Sequence, residues 1–132
     1  MKGTGVSAIW FIVVGLLAAT VHFGVVVALV HGWALPPLAA NVAGWLVAFL
    51  VSFSGHFHLT FRAQRAPLRR SAWRFFLVSA SGFVANEIAY AALLHWTGLN
   101  YALTLALVLI AVAVATWLLS RHWAFLGTPA QR

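Results

Sequence analysis

Ile9 to Val30 reads IWFIVVGLLAATVHFGVVVALV, 22 residues without a Lys, Arg, Asp or Glu. A bilayer's hydrocarbon core is about 30 Å thick and a helix rises 1.5 Å per residue, so about 20 apolar residues suffice to cross it. This stretch therefore predicts a transmembrane helix. Its apolar length exceeds the core of a cleaved signal peptide, about 7–15 residues, and further runs follow, so it reads as a retained span. Outward from it, His31-Gly32-Trp33-Ala34-Leu35-Pro36-Pro37 breaks the run, because proline lacks an amide donor and restricts the residue before it. A second run covers about 38–61. Residues 62–74 are polar, with Pro67 and five arginines. A third run covers about 75–96 and ends at Thr97-Gly98-Leu99-Asn100. A fourth covers about 101–125, stopped by Gly127, Thr128 and Pro129. Lipid offers the backbone no hydrogen-bond partner, so each run must be helical. The expected fold is all-α: one transmembrane domain over 1–132, an integral membrane four-helix bundle.

Composition agrees. Of 132 residues 64% are hydrophobic and 7% charged, against about a quarter charged in a soluble domain. Eight basic residues and one acidic one cannot coat a water-facing surface. A nucleic-acid partner is excluded as an expectation, since no soluble domain carries the positive charge. There is no cysteine, which removes thiolate chemistry and disulfides.

Charge sets the orientation. Lys2, Arg62, Arg65, Arg69, Arg70, Arg74, Arg121 and Arg132 fall at the termini and in the middle loop; the two short turns have none. The positive-inside rule then places the N- and C-termini and the middle loop in the cytoplasm. Trp10, Trp73 and Trp123 lie near the inner interface, Trp33 and Trp96 near the outer, as an aromatic belt requires. Trp45 and Trp117 are deeper and are expected to pack between helices.

Sliding the chain against itself by 64 positions aligns 11–61 with 75–125 without a gap. Phe11 meets Phe75, Val14 meets Val78, Ala28-Leu29 meets Ala92-Leu93, His31 meets His95, Leu35 meets Leu99, His58 meets His122 and Phe61 meets Phe125. His22 falls opposite Asn86. The expected architecture is two duplicated two-helix halves, parallel repeats about an axis along the membrane normal.

Several of these residues carry a resemblance. Phe11-x3-Gly15 opens the first span, and Ser52-Phe53-x6-Thr60-Phe61 closes the second. The second half gives Arg74-Phe75-Phe76-Leu77-Val78-Ser79, Asn86, and the closing Ser120-Arg121-His122-Trp123-Ala124-Phe125. From about Phe11 to Phe125 the chain resembles the GtrA-like family of small four-helix membrane proteins. One departure is visible: an asparagine is usual where His56 stands. The resemblance implies translocation (flipping) of a polyprenyl-phosphate-linked sugar across the cytoplasmic membrane, for cell-envelope polysaccharide synthesis or modification. It also implies a membrane glycosyltransferase as the partner that uses the exported lipid.

The residues supply candidates of their own. Glu87 is the only acid and lies well inside the third span; an ionised group there costs roughly 2.5–3.5 kcal/mol on insertion scales. It must face the bundle, be protonated or meet water, which makes it a proton-sensitive or headgroup-binding group, or else a carboxyl bonded to a neighbouring helix. Asn86 and Tyr90 are four apart on one helical face and Glu87 and Tyr90 three apart, and His22 stands opposite Asn86, so the four form the expected polar path. Asn41 and Thr20 are further polar groups within the spans. Arg62, Arg74 and Arg121 sit at helix ends where a lipid phosphate would lie, and guanidinium binds phosphate in a bidentate fork. The bland alternatives are interhelical hydrogen bonding for the first set, and topology with attraction to anionic lipids for the second. His56 and His58 are two apart and point to different sides, so no metal is expected. No cofactor is expected either. With one acid, two-carboxylate glycosyl chemistry is impossible within a protomer, so the chain is not expected to be an enzyme. A homodimer is the expected assembly, since four helices make a thin wall. Two other functions fit the composition: a non-transporting scaffold for a glycosyltransferase, and a proton-coupled small-molecule exporter similar in size to the small multidrug-resistance group.

Overall fold

The computed structural model describes residues 2–60 and 67–124, with side chains described for 5–6, 8–60 and 67–115. Four helices follow one another: α1 (Lys2–Trp33), α2 (Pro37–Gly55), α3 (Leu68–Trp96) and α4 (Tyr101–Ala124). The chain stays helical past Gly55 through one π-helical turn, His56–Thr60. Among the described residues three segments are long and apolar enough to cross a membrane: Ala8–Trp33, Pro37–Thr60 and Leu68–Trp96. The fourth helix has 24 residues, about 36 Å of rise, and its described apolar stretch is Tyr101–Ala115.

Two boundaries differ from expectation. His31-Gly32-Trp33 does not break the first helix. The helix runs through Trp33 and stops at Ala34, which takes a left-handed φ of 53°. The Leu35 N–H then donates back to the Leu29 carbonyl at 3.2 Å. A single glycine costs a helix only about 1 kcal/mol, so the prolines, not Gly32, set the stop. Similarly, α3 begins at Leu68 with Pro67 as its N-cap, so Arg69, Arg70 and Arg74 are helical and not loop. Hydropathy locates the membrane, whereas charge does not break a helix; Pro67 does.

The bundle is apolar on the outside as well as within. Ile9, Leu16, Leu50, Val78, Ile88 and Ile110 are among many large side chains left exposed, more than a water-soluble monomer tolerates. Trp33 and Trp96, at the ends of α1 and α3, are 77% and 79% exposed, while Trp45 packs between α2 and α3. The buried apolar cluster is small: Val26, Ala40, Tyr90, Leu105 and Val108.

Helices α1 and α2 approach closest, and glycine is the reason. A Cβ on Gly44 would lie 2.8 Å from both His22 Cδ2 and Val26 Cγ2 and 3.0 Å from the His22 carbonyl oxygen. One on Gly55 would lie 2.7 Å from Val14. At the positions 64 residues on, α4 has Val108 and Leu119, and among the described residues α3 and α4 touch less.

Candidate functional site

The close approach at Gly44 sets the buried His22 ring of α1 beside the first turns of α2. There His22 Nε2 lies 2.7 Å from Asn41 Oδ1. The Asn41 amide nitrogen donates to Asn86 Oδ1 at 3.1 Å and to Glu87 Oε2 at 2.6 Å. Both amide hydrogens of Asn41 are thus committed to α3, and its oxygen faces α1. An amide oxygen only accepts, so in this arrangement His22 Nε2 carries the proton. Asn41 is completely buried, His22 and Asn86 nearly so, and Glu87 is half-buried. One asparagine therefore ties three helices together and presents the chain's only carboxyl at the edge of the network.

Three of the expected path residues, His22, Asn86 and Glu87, come together here. They meet through Asn41, not directly across the bundle. Asn41 was legible only as a polar residue within a span; its repeat counterpart is Leu105, so the duplication gave no signal for it. Tyr90 lies near enough to Glu87 to feel its charge, but its hydroxyl bonds outside the network. It is fully buried in the apolar cluster, and its hydroxyl donates to the Tyr101 carbonyl at 3.0 Å, fixing α3 to the start of α4. The Thr20 hydroxyl donates to the Leu16 carbonyl of its own helix at 2.8 Å, outside the network.

Toward the arginine-rich end, Trp45 Nε1 donates to Ser79 Oγ at 2.9 Å, and its ring stacks on Phe83 at 4.7 Å. Trp45 lies one turn from Asn41 on α2, so this pair closes the α2–α3 seam directly beside the polar network. Farther along, His56 is buried in the π-helical turn, with Nδ1 3.0 Å from Thr60 Oγ1 and its ring stacked 5.0 Å from Phe11. His58 is exposed. Among the described residues no three His, Cys, Asp or Glu side chains gather as metal ligands would. Arg74 is exposed on α3, away from the network. Arg62 and the side chain of Arg121 lie outside the described residues.

The fold and the buried network define a small polytopic helical membrane protein with a polar site inside its apolar spans. Compared with known families, residues 10–125 match the GtrA/DPMS transmembrane domain. The chain belongs to that family, as the residues of its opening and closing segments led one to expect. No curated protein and no solved structure matches it.

Proposed function

We propose that this protein moves a polyprenyl-phosphate-linked sugar across the cytoplasmic membrane, and that it is a translocator, not an enzyme. The observation that carries the reading is the His22–Asn41–Asn86–Glu87 network. A sugar entering hydrocarbon loses hydrogen bonds to water, at a cost of several kcal/mol for each polar group left unpaired. A site with donors and acceptors inside the spans lowers that barrier while the polyprenyl tail stays in lipid. Half-buried Glu87 can exchange its bond with Asn41 for one with a sugar hydroxyl.

The duplicated architecture belongs to the same proposal. Five pairs of positions 64 apart are buried together: 22 and 86, 26 and 90, 40 and 104, 41 and 105, 44 and 108. Helices α2 and α4 also start 64 apart, at Pro37 and Tyr101, and the Ala40→Pro36 and Thr104→Asn100 backbone bonds recur at the same offset. Burial in register supports two halves of common origin, and the distribution of arginines supports placing both termini and the arginine-rich loop in the cytoplasm. A glycosyltransferase takes the lipid on the far side, and a homodimer thickens the wall around the path.

The test is flipping of a labelled polyprenyl-phosphate sugar in proteoliposomes, for wild type, Glu87→Gln and Arg74→Ala. Transport by wild type with loss in folded Glu87→Gln supports the reading. No transport above protein-free liposomes, across several sugars and with a pH gradient applied, would leave the scaffold.

A further inference from the structure

The His22–Asn41–Asn86–Glu87 network has a direction. His22 Nε2 donates to Asn41 Oδ1 over 2.7 Å. Asn41 Nδ2 donates onward, to Asn86 Oδ1 at 3.1 Å and to Glu87 Oε2 at 2.6 Å. The shorter of these two bonds ends on the carboxyl, as an acceptor carrying charge makes it. An ionised carboxylate only accepts, and a neutral imidazole donates from one nitrogen. The arrangement is therefore that of an ionised Glu87 and a neutral His22 with its proton on Nε2.

The same heavy atoms satisfy the opposite direction. A protonated Glu87 carries an O–H, and inside a span an O–H without an acceptor costs free energy. Turning the Asn41 amide over brings its oxygen to Glu87, where it accepts that O–H and an N–H of the likewise turned Asn86. The Asn41 nitrogen then donates to His22 Nε2, which requires the imidazole proton to sit on Nδ1. Each direction makes three bonds. An amide's two ends are nearly equal in size, so no helix has to move. The protons balance: Glu87 gains one from water, and the imidazole keeps one, exchanged through water from Nε2 to Nδ1.

Among the described residues, few other titratable or charged groups face Glu87. Helix α1 contributes His22, reached through Asn41, and α2 contributes Asn41 alone. On α3, Tyr90 feels the Glu87 charge and that of Tyr101, but its hydroxyl is engaged with the Tyr101 carbonyl. On α4, Tyr101 turns its ring to His31, and the buried Thr104 and Leu105 do not titrate. Arg74 stands thirteen residues before Glu87 on α3, about 20 Å of helix. We propose that the network is a proton-operated switch, in which uptake of one proton by Glu87 reverses the hydrogen bonds along Asn41 and moves the His22 proton from Nε2 to Nδ1. The proton turns the Glu87 edge inward and removes its anionic acceptor from any ligand there. Under the function proposed above, a proton and a sugar hydroxyl compete for Glu87; the switch itself does not depend on which polar ligand the site takes.

The single acid of the chain makes the test direct. Glutamate isotope-labelled at its side-chain carboxyl reports Glu87 alone, and ring-nitrogen-labelled histidine reports tautomers, with His22 assigned from its loss in His22→Gln. Solid-state NMR follows the full chain in liposomes across the pH range in which it stays folded. On acidification the Glu87 signal should move to the acid position. In the same pH step the His22 proton should pass from Nε2 to Nδ1. In Glu87→Gln that tautomer step should be lost. In Asn41→Leu, which carries the apolar residue of the repeat position, Glu87 should titrate without His22 following. Thermal unfolding checks both variants; where Asn41→Leu does not fold, wild type and Glu87→Gln decide. A Glu87 that never changes state, a His22 that keeps its proton on Nε2 or becomes imidazolium as Glu87 titrates, or an unaltered step in Glu87→Gln would each overturn the switch. Flipping assayed on the same liposomes separates the two ideas. Wild type that flips while His22 ignores Glu87 removes only the switch, whereas coupled titration without flipping removes the translocator and keeps the switch.

Discussion

Asn41 commits its whole amide to other helices, giving two hydrogens to α3 and facing its oxygen to α1. Interhelical hydrogen bonds in membranes average about 0.6 kcal/mol, so Asn41→Ala should destabilise the bundle by about 2 kcal/mol and leave His22, Asn86 and Glu87 without their hub. Equilibrium unfolding in mixed micelles reads that loss; a change within a few tenths of a kcal/mol would mean that the three bonds are not made in the membrane. Glu87→Gln keeps an oxygen to accept from Asn41, so the fold should survive and transport should fall by about tenfold or more, in line with the functional role of intramembrane acids. A Glu87→Gln protein that flips at the wild-type rate would remove Glu87 from the path. Tyr90 shows that a shared helical face does not make a shared hydrogen bond. Its place three and four residues after Glu87 and Asn86 puts it on their face, yet its hydroxyl reaches the Tyr101 carbonyl. The start of α4 offers an acceptor there, and no helical wheel of α3 contains it.

The interface of α1 with α2 is built around two glycines, which makes element packing testable by a single methyl group. Gly44→Ala must push against the His22 ring and the His22 carbonyl, with its new Cβ 2.8 to 3.0 Å away; overpacking of this kind costs about 1–3 kcal/mol. Because the same ring bonds Asn41, the substitution should also loosen the polar network and slow transport. Gly15→Ala is the control. Nothing lies within 4 Å of its Cβ position, and alanine is the better helix former by about 1 kcal/mol, so stability should hold or rise. Thermal unfolding of the two variants side by side tests the pair; equal losses would show that the close approach is not what Gly44 provides. Small residues were visible along the chain, but their spacing did not separate Gly44 and Gly55, which touch α1, from Gly15, Gly24 and Gly82, which face open space.

For the molecule as a whole, the proposed topology puts the 34–36 and 97–100 turns outside and the arginine-rich loop within. The chain has no cysteine, so single cysteines can be introduced against a silent background. In right-side-out cells or spheroplasts, Gly32→Cys and Gly98→Cys should react with a membrane-impermeant maleimide. Gln64→Cys and Thr128→Cys should react only after permeabilisation. The reverse pattern would invert the positive-inside assignment, and Thr128→Cys labelled with the outer turns would mean that α4 does not cross.

The sequence by itself determined the class and the family: membrane residence, four helices, the turns and the GtrA-like identity. These follow from apolar run length, proline placement and a few fixed residues, all of which are local along the chain. It also marked Glu87, Asn86 and His22, because a polar group in an apolar span stands out without any partner being known. Tertiary structure alone decided that Asn41 joins them and that the Tyr90 hydroxyl bonds the start of α4 instead. Each of those depends on the distance between helices. In α1 and α2 that distance is set by the missing side chain of Gly44 lying against His22, a contact between residues 22 positions apart that no local pattern encodes.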